Sequence, residues 1–178
     1  MSRSDVDKII RAAGGTPPVD TTQRMLTDGS PISDDHRELK PNGQQKDYVV
    51  LSDAERARGF VRPVRRSYRH VGRPCPQYPL RDLTADEAQR YAACGYVGHE
   101  DYPPERSPLV GRFWTQAMLD KVGKGCGTVT SMPPAIAETY ARKPDFYGGT
   151  FCCGCGTHLP VGADGEFVWD GTSDRVGT

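Results

Sequence analysis

The sequence predicts a small α+β protein, rich in loops, with short helices and a compact β unit near its C-terminus. Three observations lead to this fold class: short capped helical segments, a polar stretch rich in Gly and Pro near the start, and a glycine-flanked cysteine cluster near the end. We divide the chain into an N-terminal helix with a flexible arm (1–47), a helical, Arg-rich middle region (48–123) and a C-terminal unit (124–178).

The N-terminal region is expected to be a short helix followed by an extended arm. Ser4 is a candidate N-cap and Gly14 a candidate stop, and a helix of this length does not persist alone in water. Residues 14–47 are polar and have almost no periodic apolar positions. Such a composition is typical of a linker, or of an arm that folds onto a partner.

The middle region contains an apolar run at residues 48–51 and two capping boxes, in which a Ser or Thr is followed three residues later by Glu. The boxes and the apolar spacing predict helices from Ser52 to Gly59 and from Ala85 to Cys94, and a third over about residues 115–122, with Met118, Leu119 and Val122 on one face.

The C-terminal unit is expected to be a helix laid over a small ribbon-like sheet. Pro133 and Pro134 fit the first turn of a helix that follows Ser131 and ends before Pro144. Its inward positions would be Ile136, Ala137 and Tyr140. Residues 166–169 alternate as a half-buried strand does, after a turn at 162–165. A loop-rich tail without a sheet is the alternative.

The cysteines point to a structural zinc site. Cys152 and Cys155 have the spacing that lets two sulfurs face one metal ion, and Cys126 lies in a second glycine-flanked turn. A structural zinc ion takes four Cys or His ligands, so we predict His158 as the fourth. Cys153, Cys94, Cys75 and His70 compete for that place, although Cys153 is adjacent to a ligand and is expected to point away.

The context of the cysteines decides between metal, redox and disulfide chemistry. The first residues lack an apolar signal-peptide core, and no apolar run reaches the roughly 18 residues of a membrane span. We therefore expect a cytosolic chain with reduced thiols and no membrane partner. A redox pair and unligated thiols remain alternatives, but Gly154 and Gly156 favour a turn over the helix that a redox Cys-x-x-Cys opens.

The amino-acid composition indicates that the fold needs a source of stability besides an apolar core. Leu, Ile, Val and Phe make up 31 of the 178 residues, whereas Gly and Pro make up 35. This aliphatic content is below the roughly 20% that marks a core-poor chain, although the 23 basic and 23 acidic residues balance, unlike in most disordered chains. Metal ligation would compensate, because its binding free energy is available only to the folded state.

The stretch from Arg56 to Arg73 contains seven arginines and no acidic residue. Guanidinium groups bind phosphates and aromatic rings stack on bases, so this stretch is a candidate nucleic-acid surface. Alternatively, the arginines pair with acids such as Asp82, Glu87 or Asp101, while Phe60, Val61, Val64, Tyr68 and Val71 pack inward. The balanced overall charge favours such internal pairing, or contact with an acidic protein surface, over nucleic-acid binding. The residues proposed for nucleic-acid contact are Arg62, Arg65, Arg66, Tyr68, Arg69 and Arg73.

Enzyme motifs are weak in this chain, and we predict no catalytic residues. His36 and Glu38 match the His-x-Glu half of a zinc deaminase motif, but Phe151 stands where that motif has proline, and more than a hundred residues separate its halves. No metalloprotease helix, phosphate-binding glycine loop or nucleophile elbow occurs. A zinc hydrolase or deaminase is therefore the least favoured class.

Several C-terminal segments resemble a group of small proteins of tailed bacteriophages to which no activity is assigned. The resemblance covers roughly the last 55 residues and is weaker at Gly59–Arg65; the 162–165 turn is longer here. It implies expression in the host bacterial cytoplasm or association with the virion. The segments that carry it are Gly125–Thr130, Ala135–Arg142, Phe146–Gly148, Thr150–Cys152, His158–Val161 and Glu166–Thr172.

Together these observations predict a non-enzymatic, zinc-stabilised phage accessory protein that binds a phage or host protein. A nucleic-acid-binding protein and a virion structural component are the alternatives.

Overall fold

The computed structural model describes residues 2–108 and 111–178 and confirms a mixed α+β protein built from short elements. In the described residues, no helix combines the length and apolar character needed to cross a bilayer. The helices are α1 (Arg3–Ala12), α2 (Asp53–Arg56), α3 (Ala85–Arg90), α4 (Gln116–Asp120) and α5 (Pro134–Arg142). The strands are β1 (Arg24–Leu26), β2 (Val49–Leu51), β3 (Ser67–His70), β4 (Leu80–Arg81), β5 (Tyr96–Glu100), β6 (Phe113–Thr115), β7 (Val129–Ser131), β8 (Gly149–Cys152), β9 (Thr157–Pro160) and β10 (Phe167–Trp169).

The chain forms two compact units. Unit 1 contains Met1–His70 and Gly127–Thr178, and unit 2 contains Val71–Cys126. This division differs from the three predicted segments, 1–47, 48–123 and 124–178. The reason is that the arm and the first part of the middle region belong to the same unit as the C-terminal residues.

Local signals placed most helices correctly. Thr84 and Glu87 form the reciprocal capping box of α3, and Ser52 caps α2 by accepting from the Glu55 amide. The cap of α1 is Ser2 rather than Ser4, because the Ser2 hydroxyl accepts from the Asp5 amide at 3.2 Å. Three helices are shorter than predicted: α2 ends at Arg56, α3 ends at Arg90, before a separate 3-10 turn at Ala92–Cys94, and α4 ends at Asp120.

Unit 1 is organised around a three-stranded antiparallel sheet in the order β10-β3-β7, with α5 contributing its apolar side to the same core. The predicted inward residues of α5 are all buried. The prediction that the last strand joins the C-terminal ribbon is wrong: β8 pairs with β9 alone, and β10 pairs with β3. The buried core residues are Val50, Tyr68, Met132, Ile136, Ala137, Tyr140, Cys152, Phe167, Trp169 and Val176.

The predicted flexible arm is packed into unit 1. Strand β1 pairs with β2, and the fully buried guanidinium of Arg142 donates to the Pro17 carbonyl at 3.0 Å and to Glu55 Oε1 at 2.9 Å. Burial acts to raise the pKa of Glu55, but hydrogen bonds from Arg58 and Arg142 hold it below its ordinary value. Gly43 has a positive φ of 85° and lies so close to the Gly156 carbonyl that no side chain fits between them.

Unit 2 contains the antiparallel sheet β4-β5-β6 and the helices α3 and α4. Its largest fully buried side chain is that of Trp114, whose indole nitrogen donates to Glu100 at 3.0 Å. The guanidinium groups of Arg73 and Arg112 lie over the Trp114 ring, 5.0 and 5.5 Å from its centroid. Two cation–π contacts and a hydrogen bond to a buried carboxylate thus surround Trp114 in the interior of unit 2.

Candidate metal centre

Strand β3 positions a histidine that faces the core of unit 1. Along this strand Tyr68 and His70 are buried, whereas Arg69 between them is exposed, as the alternation of side chains in a strand requires. His70 lies opposite Phe167 of β10, and their ring centroids are 5.2 Å apart. The imidazole is only 4% exposed, so its position is fixed by the sheet around it.

Two thiols come from the turn between β8 and β9. Cys152 ends β8 and is fully buried, and Cys155 lies in the turn with an exposed surface. The turn closes when the Gly156 amide donates to the Cys152 carbonyl at 2.8 Å, and Gly156 itself has a φ of 65°. A left-handed backbone conformation at this position favours glycine, which explains why a glycine follows Cys155 in the sequence.

The third thiol, Cys126, is placed by the backbone that follows it. The Gly127 amide donates to the His70 carbonyl at 2.9 Å, and the His70 amide donates to the Thr128 carbonyl at 3.2 Å. These two hydrogen bonds hold the residues around position 127 against the end of β3. Gly127 has a φ of 73°, which turns the chain so that Cys126 reaches the same place as His70.

The ligand atoms of His70, Cys126, Cys152 and Cys155 all lie within 4.8 Å of one another. His70 Nδ1 is 3.4 Å from the Cys155 sulfur and 3.7 Å from the Cys152 sulfur. In a tetrahedral site with metal–sulfur and metal–nitrogen bonds of about 2.3 and 2.0 Å, such atoms are separated by about 3.5 to 3.8 Å. The two distances from His70 match this spacing, and the three thiols and the imidazole together form a group that could hold one metal ion.

A buried carboxylate orients the histidine of this cluster. Glu166 Oε2 is 3.0 Å from His70 Nε2, and both side chains are less than one-tenth exposed. An ionised carboxylate can only accept, so Nε2 carries the proton and the lone pair of Nδ1 faces the thiols. Metal-bound histidines generally have such an outer partner, because it fixes both the tautomer and the ring orientation.

His158, the predicted fourth ligand, lies outside the cluster, and the imidazole beside the three thiols is that of His70. His158 lies on β9 opposite Phe151, and its Nε2 is 3.0 Å from the Tyr48 hydroxyl. Burial lowers the pKa of this imidazole. Because His158 is paired with Phe151, its side chain lies on the face of the hairpin opposite to that of Cys152, toward Tyr48 and away from the thiols.

Cys153 points away from the cluster, as expected of a residue adjacent to a ligand. It is exposed, its amide donates to the Thr130 hydroxyl at 3.2 Å, and that hydroxyl also lies 3.2 Å from the Cys153 sulfur. Cys75 and Cys94 are exposed thiols outside the cluster. The deaminase-like His36 also lies outside it, so the described residues do not bring the two halves of that motif together.

Most arginines of the Arg56–Arg73 stretch have partners within unit 1. Arg65 pairs with Asp174 at 2.7 Å and Arg69 with Asp170 at 2.8 Å. Arg62 donates to the Thr178 carbonyl, and Arg66 to the Met132 carbonyl. Pairing with acids was one of the two expectations for this stretch, but the acids differ from the predicted ones because β10 and the residues after it lie beside β3.

The aromatic and apolar residues of the same stretch also differ from the predictions. Tyr68 is 2% exposed and donates to the Phe151 carbonyl at 2.6 Å, and burial raises its pKa to about 12. This tyrosine is therefore not placed to stack on a nucleic-acid base. In contrast, Phe60, Val61 and Val64, which were expected to pack inward, are 44%, 41% and 43% exposed.

Sequence reasoning named His70 only as a competitor of His158 for the fourth position, although two features favour His70. The alternation of Ser67, Tyr68, Arg69 and His70 is typical of a strand with Tyr68 and His70 on its buried face. A buried histidine also needs polar partners. What the sequence alone lacks is the pairing of β3 with β10, which brings Glu166 to one side of the imidazole.

Comparison with known proteins adds no identification. No protein-family model, curated protein or solved structure matches this chain.

Proposed function

We propose that this chain is a non-enzymatic, zinc-stabilised phage accessory protein that acts as a protein-interaction module. The observation that carries the proposal is the cluster of His70, Cys126, Cys152 and Cys155, with Glu166 behind the histidine. Three thiolates and one imidazole form a ligand set typical of structural zinc, and soft sulfur ligands select against magnesium and calcium.

A structural role fits this ligand set better than catalysis. Catalytic zinc sites generally keep three protein ligands and leave the fourth position for water or substrate. Here four protein groups surround one point, which leaves no open position on a tetrahedral ion. The zinc ion would supply binding free energy to the folded state, and the four side chains would hold three separate stretches of chain together.

Metal analysis of the purified protein tests this proposal. We expect about one equivalent of zinc per chain, lost in His70→Ala and Cys155→Ser but retained in the matched controls His158→Ala and Cys153→Ser. Zinc at a hundred times its Kd adds about 2.7 kcal/mol to the free energy of unfolding. A strong chelator should then lower Tm by roughly 5 to 11 °C. Wild-type protein without bound metal and with a chelator-independent Tm would refute the metal site.

A protein partner is supported by the apolar strip, which we define as Phe60, Val61 and Val64. These side chains are each about two-fifths exposed and flank Arg62. Aromatic residues and arginine are enriched at protein interfaces, and clustered exposed apolar residues mark interaction sites. The phage resemblance makes a phage or host protein the expected partner.

Affinity capture from phage-infected cells tests the partner. We expect a protein that binds the wild type, is lost with the double variant Val61→Ser/Val64→Ser, and is retained by Val97→Ser, a control at an exposed valine of unit 2. Equal recovery with all three proteins would exclude the apolar strip as the interface. Mass spectrometry of purified particles separates an accessory protein, which is absent from them, from a virion component.

A further inference from the structure

A groove in unit 1 has a volume of about 650 Å³, within the range of about 300 to 1,000 Å³ typical of small-molecule sites. Its lining comes from the N-terminal half, including Arg24, Arg37 and Tyr48, from the 143–149 segment, including Asp145 and Phe146, and from His158. The groove is separate from the thiol cluster, none of whose four residues lines it.

The groove has an excess of positive charge. Arg24 and Arg37 on its walls are exposed, and neither has an acidic partner among the described residues. Lys143 pairs with Asp145 at 2.5 Å, and Asp145 is the one carboxylate among the groove's lining residues. Two unpaired guanidinium groups on one concave surface form a site for an anion, and their planar forks match phosphate oxygens.

Aromatic rings line the same groove. The Phe146 ring packs edge-on against Tyr147, with centroids 4.8 Å apart, and is itself only half-buried. The Tyr48 ring is held by its hydroxyl, which lies 3.0 Å from His158 Nε2. The rings are thus ordered by neighbouring groups while they keep surface toward the groove. A planar base can stack on such rings.

A second cavity in unit 1, of about 460 Å³, also has arginines on its walls, but each of them already makes a contact within the protein. There Arg65 pairs with Asp174, and Arg62 donates to the Thr178 carbonyl. Binding an anion at that cavity would require breaking these contacts. An anion could bind in the groove beside Arg24 and Arg37 without breaking an ion pair of either arginine. We therefore favour this groove as the anion site.

We propose that this groove binds a nucleotide unit, with its phosphate held by Arg24 and Arg37 and its base stacked on Phe146. The ligand is either a free nucleotide or one unit of a single-stranded nucleic acid, since both present the same phosphate and base. This site is independent of the proposed zinc centre. It also places nucleotide contact on the arm and the 143–149 segment, away from the Arg56–Arg73 stretch.

Titrations of the chain of residues 1–178 at about 50 mM salt test the site. The probes are a labelled fifteen-nucleotide poly-dT or poly-U strand, a nucleoside monophosphate, the corresponding nucleoside, and inorganic phosphate. The test variant is Arg24→Gln/Arg37→Gln. The charge-matched control is Arg90→Gln/Arg106→Gln, which removes two exposed arginines of unit 2. Phe146→Leu removes a ring while it keeps an apolar side chain, and circular dichroism checks that each variant folds.

We expect Arg24→Gln/Arg37→Gln to weaken binding at least tenfold and to reduce the slope of log K against log salt by about 1.4 for single strands. The control should change affinity less than twofold. Phe146→Leu should weaken nucleotide binding at least about fivefold and leave phosphate binding unchanged. Binding of the strand without the monophosphate assigns the site to nucleic acid, and comparable binding of both assigns it to free nucleotides.

Three results would overturn the proposal. The first is no binding of either the strand or the monophosphate by the wild type. The second is an equal loss of affinity in the charge-matched control, which would mean that overall charge explains the binding. The third is phosphate binding as tight as that of the monophosphate, because the base would then contribute nothing.

Discussion

Replacing Glu166 by glutamine should weaken metal binding without removing any metal ligand. The Glu166 carboxylate is 3.0 Å from His70 Nε2, and both groups are buried. Glutamine has the same shape, and its amide oxygen can still accept the hydrogen bond, so the imidazole stays oriented. What is lost is the negative charge that strengthens electron donation from the ring to the metal.

The expected loss of metal affinity depends on whether the substituted residue still accepts a hydrogen bond from His70. Outer-shell partners of metal-bound histidines are worth about 10- to 100-fold in affinity. Since Glu166→Gln keeps a hydrogen bond, we expect about tenfold weaker binding, or about 1.4 kcal/mol. Glu166→Ala leaves Nε2–H buried without an acceptor, so we expect about a hundredfold, or about 2.8 kcal/mol.

The measurement is the apparent Kd for Zn²⁺, obtained by competition with a chromophoric chelator at one pH. Glu138→Gln is the matched control, because Glu138 pairs with Arg56 at a partly exposed position of α5 and lies outside the thiol cluster. An affinity of Glu166→Gln within twofold of the wild type would refute the outer-shell role. An equal loss in Glu138→Gln would show that general destabilisation, not the contact with His70, lowers the affinity.

Two further predictions concern the packing of the arm in unit 1. Gly43→Ala should destabilise the protein by several kcal/mol more than Gly29→Ala. Both glycines have a positive φ near 85°, but of the two only Gly43 lies where a new Cβ would overlap a backbone oxygen. Equal unfolding midpoints of the two variants in urea would contradict the close approach at Gly43. Arg142→Met should lower the free energy of unfolding by about 3 kcal/mol, because it leaves part of the buried Glu55 charge uncompensated. The control Arg65→Met, at an exposed ion pair, should lower it by at most about 1 kcal/mol. Urea unfolding measures both values, and a loss below about 1 kcal/mol for Arg142→Met would contradict the prediction.

The sequence predicted those parts of the fold that depend on interactions between residues close together in the chain. Thr84 and Glu87 cap α3 as expected, since a capping box involves residues only three apart. The proline pair before α5 and the apolar spacing within it located that helix and its buried face. The glycine after Cys155 correctly indicated a tight turn between two strands.

Features that depend on distant contacts could not be predicted in the same way. The arm lacks apolar periodicity because it is held largely by polar contacts, such as those of Arg142 with Pro17 and Pro18, rather than by an apolar face. Its composition therefore resembles that of a flexible linker. Similarly, the arginines of the Arg56–Arg73 stretch look unpaired in sequence, because partners such as Asp170 and Asp174 are about a hundred residues away.

The choice of His70 over His158 has the same cause and a consequence for folding. His70 reaches the thiols only when β3 lies between β7 and β10, and Cys152 and Cys155 converge only when the β8–β9 hairpin has formed. An ion with these ligands therefore requires pairings among segments that are far apart in the chain. Metal affinity should then depend on these strand pairings, because any substitution that separates β3 from β10 takes His70 away from its carboxylate partner.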